Sequence, residues 1–144
     1  MQVLITDDVH PLLIAELEQL GYMVRYEPTI DYHATLAMIA EYDGVIINSK
    51  IQVGEELLRQ ATKLKWAVRL GSGMEVFDVD ACKAHGVLFH NTPEGNSNAV
   101  AEHALGLLLN LMNNFTKSNH EVKQNRWLRE PNRGEELNGK SVGS

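Results

Sequence analysis

The chain has 144 residues, of which 44% are hydrophobic and 22% charged, proportions typical of a folded globular domain rather than a disordered or fibrous chain. Its 13 basic and 19 acidic side chains give a net charge of −6 and form no basic cluster, so we expect no nucleic-acid partner. No apolar run approaches the ~20 residues that span a bilayer, and the first residues lack the features of a secretion signal. We therefore expect no membrane association and a cytoplasmic location.

Five short apolar segments, rich in β-branched residues, predict strands. They cover residues 3–6, 23–26, 44–47, 66–70 and 87–89. Segments with helical spacing separate these strands, among them 11–20 and 55–61. Gly21 suits the end of the first helix, while Asp78 and Gly86 suit the start and end of a later one.

This alternation of strand and helix predicts an α/β fold. Short strands that are apolar throughout are typical of a parallel sheet covered on both faces, because helices form the crossovers between its strands. We therefore predict a flavodoxin-like parallel sheet of five strands with helices on both faces, followed by a long helix. Ligands of such sheets bind at the carboxyl ends of the strands, near the switch in strand order.

Cys82 is the only cysteine of the chain, so the sequence excludes an internal disulfide and an all-cysteine metal cage. It lies on a short helical pattern, and we interpret it as a packing thiol. No metal site is predicted.

A polar segment follows the fifth strand and leads directly into an apolar helix. The helix begins near Asn98, and its apolar side chains recur at three- and four-residue spacing, forming one broad stripe. The stripe comprises Val100, Ala104, Leu107, Leu108, Leu111 and Met112. We predict three parts of the chain: a flavodoxin-like domain over 1–97, a long interdomain helix over 98–126, and a linker over 127–144.

Asp7 and Asp8 follow the first strand and raise the possibility of a phosphorylated receiver domain with a magnesium site. That class needs an aspartate at the end of the third strand and a lysine at the end of the fifth. Here Asn48 or Ser49 stands at the first position and no lysine at the second, so we reject this interpretation. Both aspartates are better explained as turn and helix-start residues.

The segment RLGSG, residues 69–73, follows the fourth strand. Two glycines one residue apart let backbone N–H groups approach an anion without interference from a Cβ atom, and Arg69 can add positive charge. A small carboxylate fits such a loop. A plain tight turn explains the same spacing equally well at this point.

The longer segment RLGSGMEVFDVDACKAHGVLFHNTPEGNSNAVAEHALGLLL resembles the D-2-hydroxyacid dehydrogenase family, in which R-x-G-x-G is followed by N-T-P-x-x-N and A-V-A-E-H. The resemblance implies an NAD-dependent oxidoreductase that transfers hydride between the cofactor and a 2-hydroxy or 2-keto acid. GKSVG, residues 139–143, is similar to the family's entry into its nucleotide-binding domain. The family's catalytic histidine and cofactor loop lie in that domain, so no catalytic or cofactor-binding residue is assigned here and the chain alone is expected to be inactive.

The resemblance implies which residues of this chain bind the substrate. The matching positions are Ser49, Lys50, Arg69, Gly71, Ser72, Gly73 and Asn96. For two of them a structural role stays open, since Ser49 suits a turn and Lys50 a solvated flank. Glu75 replaces the family's usual aspartate, and Asn48 stands where phosphoglycerate dehydrogenases often carry an arginine. D-3-phosphoglycerate dehydrogenase is accordingly one candidate activity among several.

The resemblance also implies assembly, because the family uses the helix after NTPEGN in its dimer contact. We expect a homodimer or a higher oligomer. The alternative function, from a different class, is a non-catalytic module that binds small anions or mediates dimerisation.

Overall fold

A parallel sheet forms the centre of the computed structural model, which describes residues 1–143. Its five strands are β1 (Gln2–Ile5), β2 (Met23–Tyr26), β3 (Gly44–Ile47), β4 (Trp66–Arg69) and β5 (Leu88–Asn91). The strand order is β2-β1-β3-β4-β5, and every neighbouring pair runs parallel. This is the flavodoxin-like order, with the switch between β1 and β3, so the predicted fold class is confirmed.

Four helices connect the strands: α1 (Pro11–Gln19), α2 (Tyr32–Met38), α3 (Glu55–Gln60) and α4 (Val79–Ala84). The predicted ends of α1 and α4 are confirmed, because Gly21 and Gly86 adopt φ angles of +84° and +69°, a region that favours glycine. The Asp78 side chain accepts a hydrogen bond of 3.0 Å from the Ala81 N–H and so caps α4.

The sheet carries apolar packing on both faces, because successive residues of a strand point to opposite sides. On one face Leu4, Val45 and Ile47 pack with side chains of α2, α3 and α4. On the other, Val3, Ile5 and Ile46 pack against α1. Helices therefore cover both faces, as predicted, and β3 is buried along its whole length.

Cys82 of α4 is fully buried in the first of these apolar clusters. Burial raises the pKa of its thiol, which keeps the group protonated and unreactive at neutral pH. The structure thus places this cysteine where a packing thiol belongs.

The described residues form two compact units, Met1–Asn96 and a second unit that begins at Ser97. The second contains α5 (Ser97–Met112) and α6 (Phe115–Lys123). The prediction of one helix over 98–126 is therefore wrong in its extent. The helix breaks because Asn114 adopts a left-handed φ of +53°, and the Asn110 side chain accepts a hydrogen bond of 2.9 Å from the Thr116 N–H at the start of α6.

Within residues 1–143, no helix has both the length and the apolar character needed to cross a membrane. The same residues contain no group of three or more His, Cys, Asp or Glu side chains placed to hold a metal ion.

Candidate functional site

A cleft of about 390 Å³ opens at the carboxyl edge of the sheet. The loops that follow β3, β4 and β5 form it, and its lining residues are Asn48, Leu70, Gly71, Thr92, Gly95 and Asn96. A cleft of this size accommodates a small organic acid. A smaller groove of about 190 Å³ in the second unit, beside Trp127, contains none of the predicted site residues.

The predicted residues Gly71 and Asn96 both line this cleft. Ser72 and Gly73 continue the same loop, which we call the glycine loop (residues 69–75). Two donors at the end of β5 anchor it: the Thr92 N–H donates to the Gly71 carbonyl at 2.9 Å, and the Asn91 side-chain amide donates to the Ser72 carbonyl at 2.6 Å. The loop's carbonyls are therefore engaged in fixing its shape.

Two backbone N–H groups of the glycine loop, by contrast, take no part in fixing its shape. Neither the Ser72 N–H nor the Gly73 N–H donates a hydrogen bond to another residue that the structure describes. Unengaged N–H groups beside a polar cleft are the donors that an anion needs.

Arg69 ends β4 beneath the glycine loop and is only 9% exposed. Its Nη1 atom lies 2.7 Å from Oε2 of Glu75. Its buried Nε atom has no hydrogen-bond partner among residues 1–143. The guanidinium held in this ion pair lowers the pKa of the Glu75 carboxyl group, so Glu75 is ionised at neutral pH.

Space rather than backbone conformation disfavours a side chain at Gly73 while Glu75 is paired with Arg69. The φ angle of Gly73 lies outside the left-handed region. A Cβ atom there would overlap the Glu75 carboxylate and come within 2.6 Å of Arg69 Nη1. Gly71 is less restricted, because its Cβ would meet Arg69 Nε at 3.5 Å and Asn48 Oδ1 at 3.7 Å, which are ordinary contacts.

Ser49 and Lys50 are exposed and do not line the cleft. The Lys50 ammonium donates a hydrogen bond of 2.7 Å to the Pro28 carbonyl and so ties the loop after β3 to the loop after β2. The structure thus brings Arg69, Gly71, Ser72, Gly73 and Asn96 together and leaves these two apart. Their role in substrate binding stays a prediction.

Sequence reasoning assigned Asp7 to a turn or a helix start, but its role is different. Its Oδ2 atom accepts hydrogen bonds of 2.8 Å from the Asn48 N–H and from the Thr6 hydroxyl, while His10 caps α1. Asp7 therefore fixes the position of Asn48 in the cleft wall. No local pattern indicates this contact; only the predicted topology does, since residues that follow β1 lie beside the end of β3 at the switch point.

Replacing Asp7 with alanine should lower the free energy of unfolding by about 1–3 kcal/mol, because two hydrogen bonds to a carboxylate are lost and the buried Thr6 hydroxyl keeps only its longer hydrogen bond, of 3.4 Å, to the Ile46 carbonyl. Asp8→Ala is the matched control, since Asp8 bonds only the exposed hydroxyl of Tyr26, at 2.8 Å, and its loss should cost no more than about 0.5 kcal/mol. Urea denaturation compares the two variants. Equal effects would show that Asp7 has no special structural role.

An all-parallel sheet in this strand order, with a ligand-sized cleft and a glycine loop at its carboxyl edge, defines an α/β domain of the class that binds small molecules. The chain belongs to the D-isomer specific 2-hydroxyacid dehydrogenase family: residues 3–134 match the sequence profile of the family's catalytic domain.

Individual relatives agree with this assignment. Over 141 residues the chain is 37% identical to D-3-phosphoglycerate dehydrogenase of Mycobacterium bovis, an alignment that covers 98% of this chain and 26% of that protein. The chain therefore spans about a quarter of the length of this relative. The TT0316 protein of Thermus thermophilus has the same fold, with a TM-score of 0.82 and 22% identity over 96% of this chain and 46% of its own.

A further solved structure is that of 3-phosphoglycerate dehydrogenase from Entamoeba histolytica with NAD+ bound. It is 27% identical to this chain, with a TM-score of 0.68 over 78% of this chain and 39% of its own. The family match and the two relatives named as phosphoglycerate dehydrogenases therefore agree with each other.

Proposed function

We propose that this chain is the substrate-binding portion of an NAD-dependent D-2-hydroxyacid dehydrogenase and that the glycine loop holds the carboxylate of a 2-hydroxy or 2-keto acid. The observation that carries the proposal is the combination of unengaged Ser72 and Gly73 N–H groups with a buried, incompletely paired Arg69 in the same loop, which contributes Gly71 to the cleft. Hydrogen bonds from such donors to a carboxylate are charge-assisted and therefore strong.

The reaction assigned to the whole enzyme is hydride transfer between the nicotinamide of NAD and carbon 2 of the acid. When bound, the cofactor accepts or supplies the hydride. The part played by this chain is to orient the acid through its carboxylate and so to fix the position of carbon 2. The Mycobacterium and Entamoeba relatives support 3-phosphoglycerate as the first substrate to try.

To test the function, the nucleotide-binding domain of a family member is fused after Gly143 and NADH oxidation is measured with a panel of 2-keto acids. We expect turnover of at least one 2-keto acid and none of its amide, which lacks the carboxylate. If the fused domain binds NADH but no 2-keto acid is reduced, the chain is better explained as a non-catalytic anion-binding module.

We expect the chain by itself to bind NADH weakly or not at all, because pyrophosphate recognition uses a G-x-G-x-x-G loop at a helix N-terminus, and this sequence contains no such motif. The fluorescence of NADH is followed as the chain is added. Saturable binding at low micromolar concentration would contradict the expectation.

We further propose that the chain forms a homodimer or a higher oligomer through the apolar stripe of α5. No residue of α5 is buried, and Val100, Leu107 and Leu111 are among its exposed apolar side chains. An apolar surface of this kind is a candidate association surface.

The cytoplasmic location stays a prediction.

Leu111→Gln should weaken self-association about tenfold or more, because the variant places a polar group in the interface at a cost of roughly 1–3 kcal/mol. Leu20→Gln is the control: Leu20 and Leu111 are each 74% exposed, but Leu20 lies at the end of α1, outside the stripe. Sedimentation equilibrium at several concentrations measures both variants. A wild-type chain that remains monomeric at high concentration would contradict the proposal.

A further inference from the structure

The ion pair between Arg69 and Glu75 is asymmetric. The Arg69 side chain is 11% exposed, whereas the Glu75 side chain is 68% exposed. The arginine is thus held in the protein, while the glutamate reaches it from solvent.

This asymmetry determines which partner can leave. An exposed carboxylate that turns back into water is fully hydrated, so Glu75 rather than Arg69 is the partner that can leave the pair. A buried guanidinium left without an anion is strongly disfavoured. Opening of the pair therefore requires a second anion to take the place of Glu75.

The glycine loop contains a place for that anion. The Glu75 carboxylate lies against Gly73, in the space that a Cβ atom of this residue would fill, and Arg69 Nη1 lies 2.6 Å from the same position. When Glu75 turns away, it leaves a space shaped for a carboxylate. The Gly73 backbone and the Arg69 guanidinium bound this space, and the unengaged Ser72 and Gly73 N–H groups belong to the same loop.

We propose that Glu75 is an internal competitor of the ligand: its carboxylate occupies Arg69 in the free chain, and the carboxylate of the incoming acid exchanges with it. The inference rests on the proposed function, because it assumes that the glycine loop binds the acid. Glu75 then determines specificity, since only a ligand with its own negative charge can release Arg69. Neutral analogues cannot make this exchange.

The test uses oxamate, an isostere of a 2-keto acid, and measures its affinity for the 144-residue chain by titration calorimetry. Glu75→Gln keeps the size of the side chain but removes its charge, and we expect it to lower the dissociation constant about three- to tenfold. Asp80→Asn removes an equivalent charge from the exposed first turn of α4 and should change the constant less than about twofold. Neutral oxamide should bind to none of these proteins.

Glu75→Asp gives a second route to the same answer if Glu75→Gln is poorly folded. Its charge remains, but the shorter side chain reaches Arg69 less well, so we expect an intermediate gain in affinity. Equal or weaker binding of oxamate to both Glu75 variants than to the wild type overturns the exchange alone. If no protein binds oxamate, including a folded Glu75→Gln, the carboxylate site of the proposed function is overturned together with the exchange.

Discussion

Gly44→Ala should lower the free energy of unfolding by about 3 kcal/mol, the upper end of the usual cost of forcing extra volume into a well-packed core. Gly44 lies in β3, directly beside Trp66 of β4 in the sheet register. An added Cβ would overlap the Trp66 indole, whose Cη2 atom would lie only 2.6 Å away. The indole cannot simply move aside, because it packs edge-on against Tyr22 with ring centroids 6.3 Å apart.

Two variants separate this steric effect from a general effect of replacing glycine. Gly106→Ala adds a methyl group in open space on α5 and should stabilise the protein by about 0.5–1 kcal/mol, because alanine favours the helix. Trp66→Leu should make Gly44→Ala less harmful, so that the two changes are not additive. Thermal and urea unfolding compare the wild type with the three single variants and with the Gly44→Ala, Trp66→Leu double variant. A loss below about 1 kcal/mol in Gly44→Ala would show that the indole has room to move.

Gly73→Val should lower kcat/KM for the 2-keto acid about thirty- to a thousandfold in the enzyme completed with a nucleotide-binding domain, with NADH affinity nearly unchanged. The branched side chain would fill the space beside Arg69 Nη1 that the proposed carboxylate needs. Loss of one or two charge-assisted hydrogen bonds corresponds to about 2–4 kcal/mol of transition-state stabilisation.

The matched control for this prediction is Gly54→Val. Gly54 precedes α3 in extended backbone, and nothing lies within 4 Å of an added Cβ there. Its kcat/KM should stay within about threefold of the parent. A folded Gly73→Val enzyme that also stays within that range would show that the glycine loop is only a turn.

The strands and the glycine loop could be predicted because local sequence determines both. Short β-branched runs between turn residues indicate buried parallel strands, and a glycine pair directly after a strand indicates a tight loop. The capping residues Gly21, Asp78 and Gly86 were likewise readable, since each satisfies a need of the neighbouring helix end.

The remaining features depend on contacts between residues distant in sequence. The hydrogen bond of Asp7 to Asn48 spans 41 positions, and no pattern in either segment reveals it. The helix break near Asn114 depends on one left-handed residue inside an otherwise helical spacing. The hydrogen bond from the Lys50 ammonium to the Pro28 carbonyl likewise joins two loops that are distant in sequence.

The central claim is that the glycine loop binds the carboxylate of a 2-keto acid. The most direct test records the amide chemical shifts of the 15N-labelled chain during titration with pyruvate. A parallel titration uses uncharged pyruvamide. The account predicts saturable shifts at Ser72, Gly73 and Asn96 with pyruvate, and at most small, non-saturating shifts with pyruvamide. Equal shifts with both compounds, or pyruvate-induced shifts confined to the groove beside Trp127, would contradict it.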